Sequence, residues 1–346
     1  MTIFEIDPLQ DPRWKAFIER RPDSSIFHRV EWLRALQSCY GYAPRALSLS
    51  PPGSQLESGL LFCEVRSLLT GNRLVSLPFS DHCEVLVSEP EEVTGLLAGM
   101  AERVEKGRWN YFEVRPILNK PQDPQERFGI SNTYYFHRLD LHTSEELIFK
   151  NLHKDCVQRK IRRAEREKLR YEAGSSHTLL KHFYKLMIMT RRRHKVPPQP
   201  LKWFQSLIAS LGSDLQIRVA FKGDIPVASI LTISDKKTMV YKYGCSDVRF
   251  NNLGATAMLF WKAIQEAKAK GITEFDLGRS ELDNPGLVAF KEHWGARRSM
   301  LSYLRYPALA ASSGAERAIK HFQKVISITP DAPLVMLGRL LYRHIG

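Results

Sequence analysis

Apolar residues recur along this chain at two spacings, one helical and one strand-like, and the order in which they alternate predicts its elements. Between residues 27 and 37, Trp32, Leu33 and Leu36, with Cys39 beyond, return every three to four positions, the repeat of a helix with one buried face. Runs at 45–50, 58–68 and 73–78 read instead as strands, separated by the turn signals Pro51-Pro52-Gly53 and Thr70-Gly71-Asn72. Helical spacing returns at 91–106 through Val93, Leu96, Leu97, Met100 and Val104, and 110–115 reads as a strand that Pro116 ends.

The second half repeats that order: strands at 215–221, 227–233 and 238–245, a helix at 255–270 and a strand at 273–277. A duplicated structural unit is therefore expected, although the halves share little sequence. The copies differ where their helices begin. Glu89-Pro90-Glu91-Glu92 suits a helix start but repels phosphate, whereas Leu253-Gly254-Ala255-Thr256, five residues after Arg249, carries no acid. A strand that turns through glycine into a helix leaves backbone N–H groups where an anion can sit.

Between the copies, Leu147, Ile148, Leu152, Val157, Ile161 and Ala164 form one apolar stripe among basic residues. This pattern predicts a single linking helix over 144–171, capped by Ser144 or Thr143 and ended by Ala173-Gly174. After it, a helical pattern at 315–328 and a break at Pro330 and Pro333 lead to a last amphipathic segment, 334–344. That segment is too short to span a bilayer; its alternatives are docking on the protein's own core or lying on an anionic surface.

Composition narrows the class. A length of 346 residues suits about two domains, and 43% hydrophobic with 25% charged residues is ordinary for a soluble globular protein. No run approaches the roughly 18 apolar residues of a membrane span, and the first residues lack the features of a signal peptide. The five cysteines (Cys39, Cys63, Cys83, Cys156 and Cys245) form no Cys-x-x-Cys pair, so a cytoplasmic, reduced chain without a bound metal is expected. Of the net charge of +14, residues 150–202 carry +12, from sixteen Lys or Arg against four acids. Such a concentration attracts a polyanion: RNA, an anionic membrane surface, or the phosphates of a cofactor or sugar diphosphate. Specific DNA binding is not expected.

Several segments resemble the tandem GNAT-like acyltransferases related to the Fem aminoacyltransferases of cell-wall and exopolysaccharide pathways in bacteria. They are Phe27-His28-x-x-Glu31-Trp32-Leu33, Leu77-Pro78-Phe79-Ser80-Asp81, Lys160-Ile161-Arg162-Arg163-Ala164-Glu165-Arg166 and Thr190-Arg191-Arg192-Arg193-His194-x-x-Pro197-Pro198. Further along come Phe275-Asp276-Leu277-Gly278-Arg279, Asp283-Asn284-x-Gly286-Leu287-x-x-Phe290-Lys291-x-x-Trp294-Gly295 and Leu341-Tyr342-Arg343-His344. The resemblance spans most of the chain and implies a mixed α/β (α+β) fold of two tandem GNAT-like domains. Each would be a mostly antiparallel mixed sheet flanked by helices: residues 1–140 on the acceptor side, 141–310 on the donor side, and a helical tail over 311–346. It also implies acyl-CoA as a donor co-substrate, with no permanently bound cofactor, and an anionic sugar or lipid-linked acceptor. No long coiled-coil insertion is present, which counts against a tRNA-borne donor.

Acyl transfer to an amine needs the amine stripped of its proton, donors for the developing oxyanion, and a proton for the leaving group. Asp276 and Asp283 are the candidate bases, and Tyr243, whose strand would also supply backbone N–H groups, is the candidate acid. The GNAT pyrophosphate pattern, Arg/Gln-x-x-Gly-x-Gly/Ala, is approached by Arg249, Asn252, Gly254 and Ala255, with Asn252 at the middle glycine because asparagine tolerates a left-handed backbone. Asp81, Arg279, Lys291, Trp294, Arg163 and Arg192 are the expected substrate contacts; a core role is the alternative for Trp294, and a local turn for Asp81, Asp276 and Asp283. His194 stands among cations that disfavour its protonation. The expected activity is N-acyl transfer to an amine of a cell-wall or exopolysaccharide precursor, in the cytoplasm or peripherally at the inner face of the membrane. The alternatives are an aminoacyl-tRNA-dependent transferase and a non-catalytic scaffold for anionic lipid or nucleic acid.

Overall fold

A computed structural model describes residues 2–117, 127–308 and 329–346. From the N-terminus come β1 (Phe4–Ile6), α1 (Pro12–Arg20), α2 (Val30–Tyr40), β2 (Ala43–Ser48), β3 (Leu60–Val65), β4 (Arg73–Val75), α3 (Glu91–Lys106) and β5 (Tyr111–Val114). Then follow β6 (Gly129–Asp140), α4 (Glu145–Asn151), α5 (Arg159–Arg166), β7 (Arg170–Gly174), α6 (His177–Arg193), α7 (Leu201–Leu211), β8 (Leu215–Lys222), β9 (Ile225–Asp235) and β10 (Thr238–Ser246). The chain closes with α8 (Ala255–Ala269), β11 (Glu274–Glu281), α9 (Pro285–Glu292), β12 (Arg297–Tyr306) and α10 (Asp331–Ile345). These elements form two compact units. Among the described residues, one holds residues 2–117 and 127–134 with the chain from Met300 to Ala308 and from Leu337 onward, and the other holds Tyr135–Ser299 and residues 329–336.

In the first unit the strand order is β1-β2-β3-β4-β5-β12, antiparallel except where β4 and β5 run parallel with α3 crossing between them. Leu96, Leu97, Met100 and Val104 of α3 pack on Leu60, Phe62, Leu74 and Phe112 of the sheet. The end of the tail docks on this unit: Arg73, itself buried, donates to the carbonyls of His344 (2.8 Å) and Gly346 (2.6 Å), and Ser67 meets His344 Nδ1 at 2.9 Å. The pattern at 315–328 lies outside the described residues.

In the second unit the order is β6-β11-β10-β9-β8-β7, and α8 crosses between the parallel strands β10 and β11. The expected duplication is present in detail, since each unit has a parallel pair three residues long. These are Arg73↔Tyr111 to Val75↔Glu113 and Thr238↔Glu274 to Val240↔Asp276. Among the described residues no helix is long and apolar enough to cross a membrane.

The single linking helix expected over 144–171 does not form. Ser144 caps α4 as predicted, but Leu152 turns extended, a π-helical turn covers Lys154–Gln158, and α5 ends before Lys168 takes a left-handed φ of 51°. Residues 170–174 then pair with the edge of β8, so Ala173 and Gly174 finish a strand rather than a helix. The exposed edge of a long hairpin strand offers unmet backbone hydrogen bonds, and that demand outweighs helical spacing in a basic segment.

Helix α8 is tied to the sheet by charge as well as packing. Arg218 of β8 is fully buried and donates to Glu266 of α8 (2.7 and 3.1 Å) and to Thr232 Oγ1. Removing one member of such a pair strands the other charge away from water. Glu266→Ala is expected to destabilise the chain by about 3 kcal/mol, measured by urea unfolding, with Glu266→Gln retaining part of the loss.

Candidate active site at the start of helix α8

After its three residues beside β11, β10 runs on along β9 to Ser246. Asp247, almost wholly buried, caps a 3-10 turn over Val248–Leu253, and Gly254 then takes φ 79° and ψ 12° before α8 begins at Ala255. Glycine is required here twice over. An L side chain rarely adopts that backbone, and a Cβ on Gly254 would stand 2.0 Å from the backbone oxygen of Lys160. The first amides of a helix have no intrahelical acceptor, and no acidic side chain stands in the first turn of α8. A cavity of about 250 Å³ lies at this point, lined by Gly254, Ala255, Thr256 and Ala257, by Ser246 and Asn251, by Cys156, Val157 and Lys160, and by Phe290 and Trp294.

The equivalent helix in the first unit is preceded by a turn that one of its own acids caps. Glu92 of α3 folds back so that its carboxylate accepts the N–H groups of Ser88 (2.9 Å) and Glu89 (3.1 Å). The copies thus differ in charge at these positions, with a carboxylate folded over the turn ahead of α3 in one and an acid-free start beside a cavity in the other.

The predicted site residues do not all converge. Gly254 and Ala255 line the cavity; Arg249 and Asn252 do not. Arg249 is gripped by Asp247 (2.6–3.1 Å), whose carboxyl it holds below the usual range, and its side chain points mostly to solvent. Asn252 is exposed within the 3-10 turn and keeps a negative φ, so the left-handed residue of this loop is Gly254 and the cavity contact is Asn251.

Tyr243 faces the opposite side of the sheet, where its hydroxyl accepts from Trp203 Nε1 (2.8 Å) among Phe183 and Phe204. A bulge between Tyr241 and Tyr243 turns the neighbouring tyrosine the other way, onto Phe260. Burial pushes the Tyr241 hydroxyl up, which makes it a poor proton donor at neutral pH. The Ser246 N–H is used by Thr190 Oγ1 (3.0 Å).

Asp276 is buried at the last paired position of β11, and its Oδ1 accepts the Gly278 N–H at 2.6 Å. Asp283 is exposed just before Asn284, which caps α9 through Leu287 N. Lys291, expected to hold an anion, is buried and donates to the carbonyls of Gly278 and Arg279 (both 2.8 Å), tying α9 to β11. The Arg279 side chain is half-buried. Trp294 is a core residue stacked on Phe260, yet it also borders the cavity, and its buried indole N–H has no hydrogen-bond partner among the described residues. Arg163 pairs with Glu167 one turn on, and Arg192 holds Thr329 O and Asp331. In the first unit, Asp81 is half-buried with its carbonyl accepting from Tyr303 OH (2.6 Å), in a loop where Leu77 (φ 75°) and Phe79 (φ 61°) are both left-handed. His137 of β6 is fully buried with both ring nitrogens unpaired; burial first, then Lys291 and Arg298, lowers it to about 4.

The family model described as acetyltransferase (GNAT) domain matches residues 153–292, which include every cavity-lining residue but Trp294. Those residues are a GNAT acyltransferase domain. The chain's fold is similar to that of FemX, at 14% identity over 98% of this chain and 100% of FemX with a TM-score of 0.68. It is also similar to L-PGS from Bacillus licheniformis (14% identity, 98% of each chain, TM-score 0.54). A tandem GNAT protein from the clavulanic acid biosynthesis pathway matches at 8% identity over 90% of this chain and 99% of its own, with a TM-score of 0.54. No curated protein matches the sequence.

Within the GNAT domain, pattern reasoning missed Lys160, Cys156, Asn251 and Thr256 as cavity residues. Lys160 stood inside a basic motif with nothing to set it apart from its neighbours, and only the approach of its carbonyl to Gly254 singles it out. Two stability measurements check this geometry. Gly254→Ala is expected to cost roughly 3 kcal/mol or more because backbone must move. Gly223→Ala, at φ 59° with nothing within 4 Å, is expected to cost about 1 kcal/mol of backbone strain alone. His137 provides a pH test. Its folded pKa lies below the unfolded value, so its contribution is full above about pH 6.5 and is lost as pH falls toward 4. His137→Phe is expected to remove ~3 kcal/mol of that pH dependence in paired urea titrations.

Proposed function

We propose that the chain is an N-acyltransferase that moves an acyl group from acyl-CoA, or a similarly activated donor, to an amine by direct attack, without a covalent enzyme intermediate. The observation that carries this is the cavity at the acid-free start of α8, with Lys160 at its edge. Helix amides and a lysine suit the phosphates of the donor. The end of the short β10–β11 pairing supports a place for the acyl group, because backbone groups beyond it are not committed to each other. An alkyl ammonium has a pKa near 10.4 and must lose its proton before attack. Asp276, buried where the pairing ends, is the proposed acceptor of that proton, with the carbonyl held by strand amides.

The acceptor class, an amine of a cell-wall or exopolysaccharide precursor, follows from the motif resemblance, with Asp81 as the acceptor-side residue of the first unit. A cytoplasmic location with peripheral contact at the membrane's inner face fits the basic segment. A second reading has a specific observation behind it: Arg159, Lys160, Arg162, Arg163 and Arg166 of α5 are all exposed beside the cavity, a surface that suits an aminoacyl-tRNA as well as CoA.

Calorimetry separates the two. Acyl-CoA is expected to bind, with Lys160→Glu weakening it by roughly 10- to 100-fold, the worth of one charge-assisted contact. Arg249→Glu is expected to change affinity by about twofold or less, because Asp247 holds that side chain away from the cavity. Binding of tRNA that falls steeply with salt, without acyl-CoA binding, selects the second reading; binding of neither overturns both.

A further inference from the structure

Three side chains with metal-ligating atoms meet beside the cavity, which Cys156 itself lines: His153, Cys156 and His293. One ligand atom from each lies within 4.8 Å of the other two. His153 caps the π-helical turn Lys154–Gln158 and Cys156 lies within it, a geometry often found at functional positions. His293 follows α9, and the two segments are already fastened, since His153 N–H donates to the His293 carbonyl at 2.9 Å. The imidazole rings lie with centroids 4.4 Å apart and planes at 56°. Cys156 is half-buried and in no disulfide.

We propose that His153, Cys156 and His293 bind a zinc-type divalent ion, as a His₂Cys set. One thiolate and two imidazoles suit Zn²⁺ or Co²⁺ rather than Mg²⁺ or Ca²⁺, which prefer oxygen. Three protein ligands leave a fourth tetrahedral position to water, the open kind of set. On binding, the Cys156 S–H bond breaks, a sulfur–metal bond forms, and the proton leaves to solvent. At present His153 Nδ1 accepts the Cys156 N–H at 3.2 Å, so binding through that nitrogen replaces this cap with the ion. Lys154, Arg159 and Lys160 surround the turn and oppose a dication; the thiolate offsets one charge. The ion would join the turn at Cys156 to the end of α9, where Phe290 and Trp294 form another wall of the same cavity. Any effect on donor binding rests on the function proposed above; the metal titration does not.

The test is titration of Co²⁺ into the untagged, metal-stripped full chain, followed by absorption. Expected are one ion per chain, a thiolate-to-cobalt charge-transfer band, loss of the band on adding one equivalent of Zn²⁺, and release of about one proton per ion. Cys156→Ser is expected to abolish the band, and His293→Ala and the exposed-site His153→Ala to weaken binding at least about 100-fold each, with circular dichroism showing each variant folded. His153→Ala keeps the test decisive should a buried substitution fail to fold. Absence of a thiolate band, or equal affinity in wild type and His153→Ala, overturns the proposal and leaves only adventitious surface binding.

Discussion

The backbone oxygen of Lys160 lies so near Gly254 that no side chain fits between them, and the arrangement of the second unit turns on that contact. It requires glycine at the entry to α8, and it requires α5 to lie across that entry. With it goes the cavity: the first turn of α8, Lys160 and the turn bearing Cys156 are gathered where these two backbones approach. The Arg218–Glu266 pair fixes the other end of the same helix to the sheet. A helix held at both ends presents its first amides in one place, which is what recognition of an anion needs.

Much of the fold was legible because hydrophobic spacing is strong where one face is buried. The helices at Val30–Tyr40, Glu91–Lys106 and Ala255–Ala269 and most of the hairpin strands follow from it. The long helix over 144–171 failed because its apolar stripe continues through two breaks, at Leu152 and Lys168, that only backbone geometry reveals. Helix α6 was passed over because basic residues crowd its end, and α7 because Pro197, Pro198 and Pro200 stand just before it, although Leu179, Phe183, Met187, Trp203 and Phe204 are buried beneath.

The site was legible in its glycine and not in its cations. Arg249, Lys291 and Arg192 are residue types that bind anions, yet each has an occupation inside the fold: Asp247, the carbonyls of β11, and the stretch from Thr329 to Asp331. Side-chain chemistry alone cannot distinguish a cation that awaits a ligand from one that holds two segments together. The distinction lies in which backbone carbonyls and carboxylates come close enough to accept, and those partners range from Asp247, two residues from Arg249, to Thr329, far along the chain from Arg192.

Glu92 marks a physical difference between the two copies of the architecture. Its carboxylate is tethered four residues or fewer from the amides it accepts, so its local concentration there is on the order of millimolar or above, whatever the surroundings contain. A free phosphate ester must outcompete a ligand that never diffuses away. A carboxylate held in this way occupies the amides of Ser88 and Glu89, just ahead of α3, by intramolecular competition, and a single side chain is enough to make the approaches to the two helices electrostatically unequal.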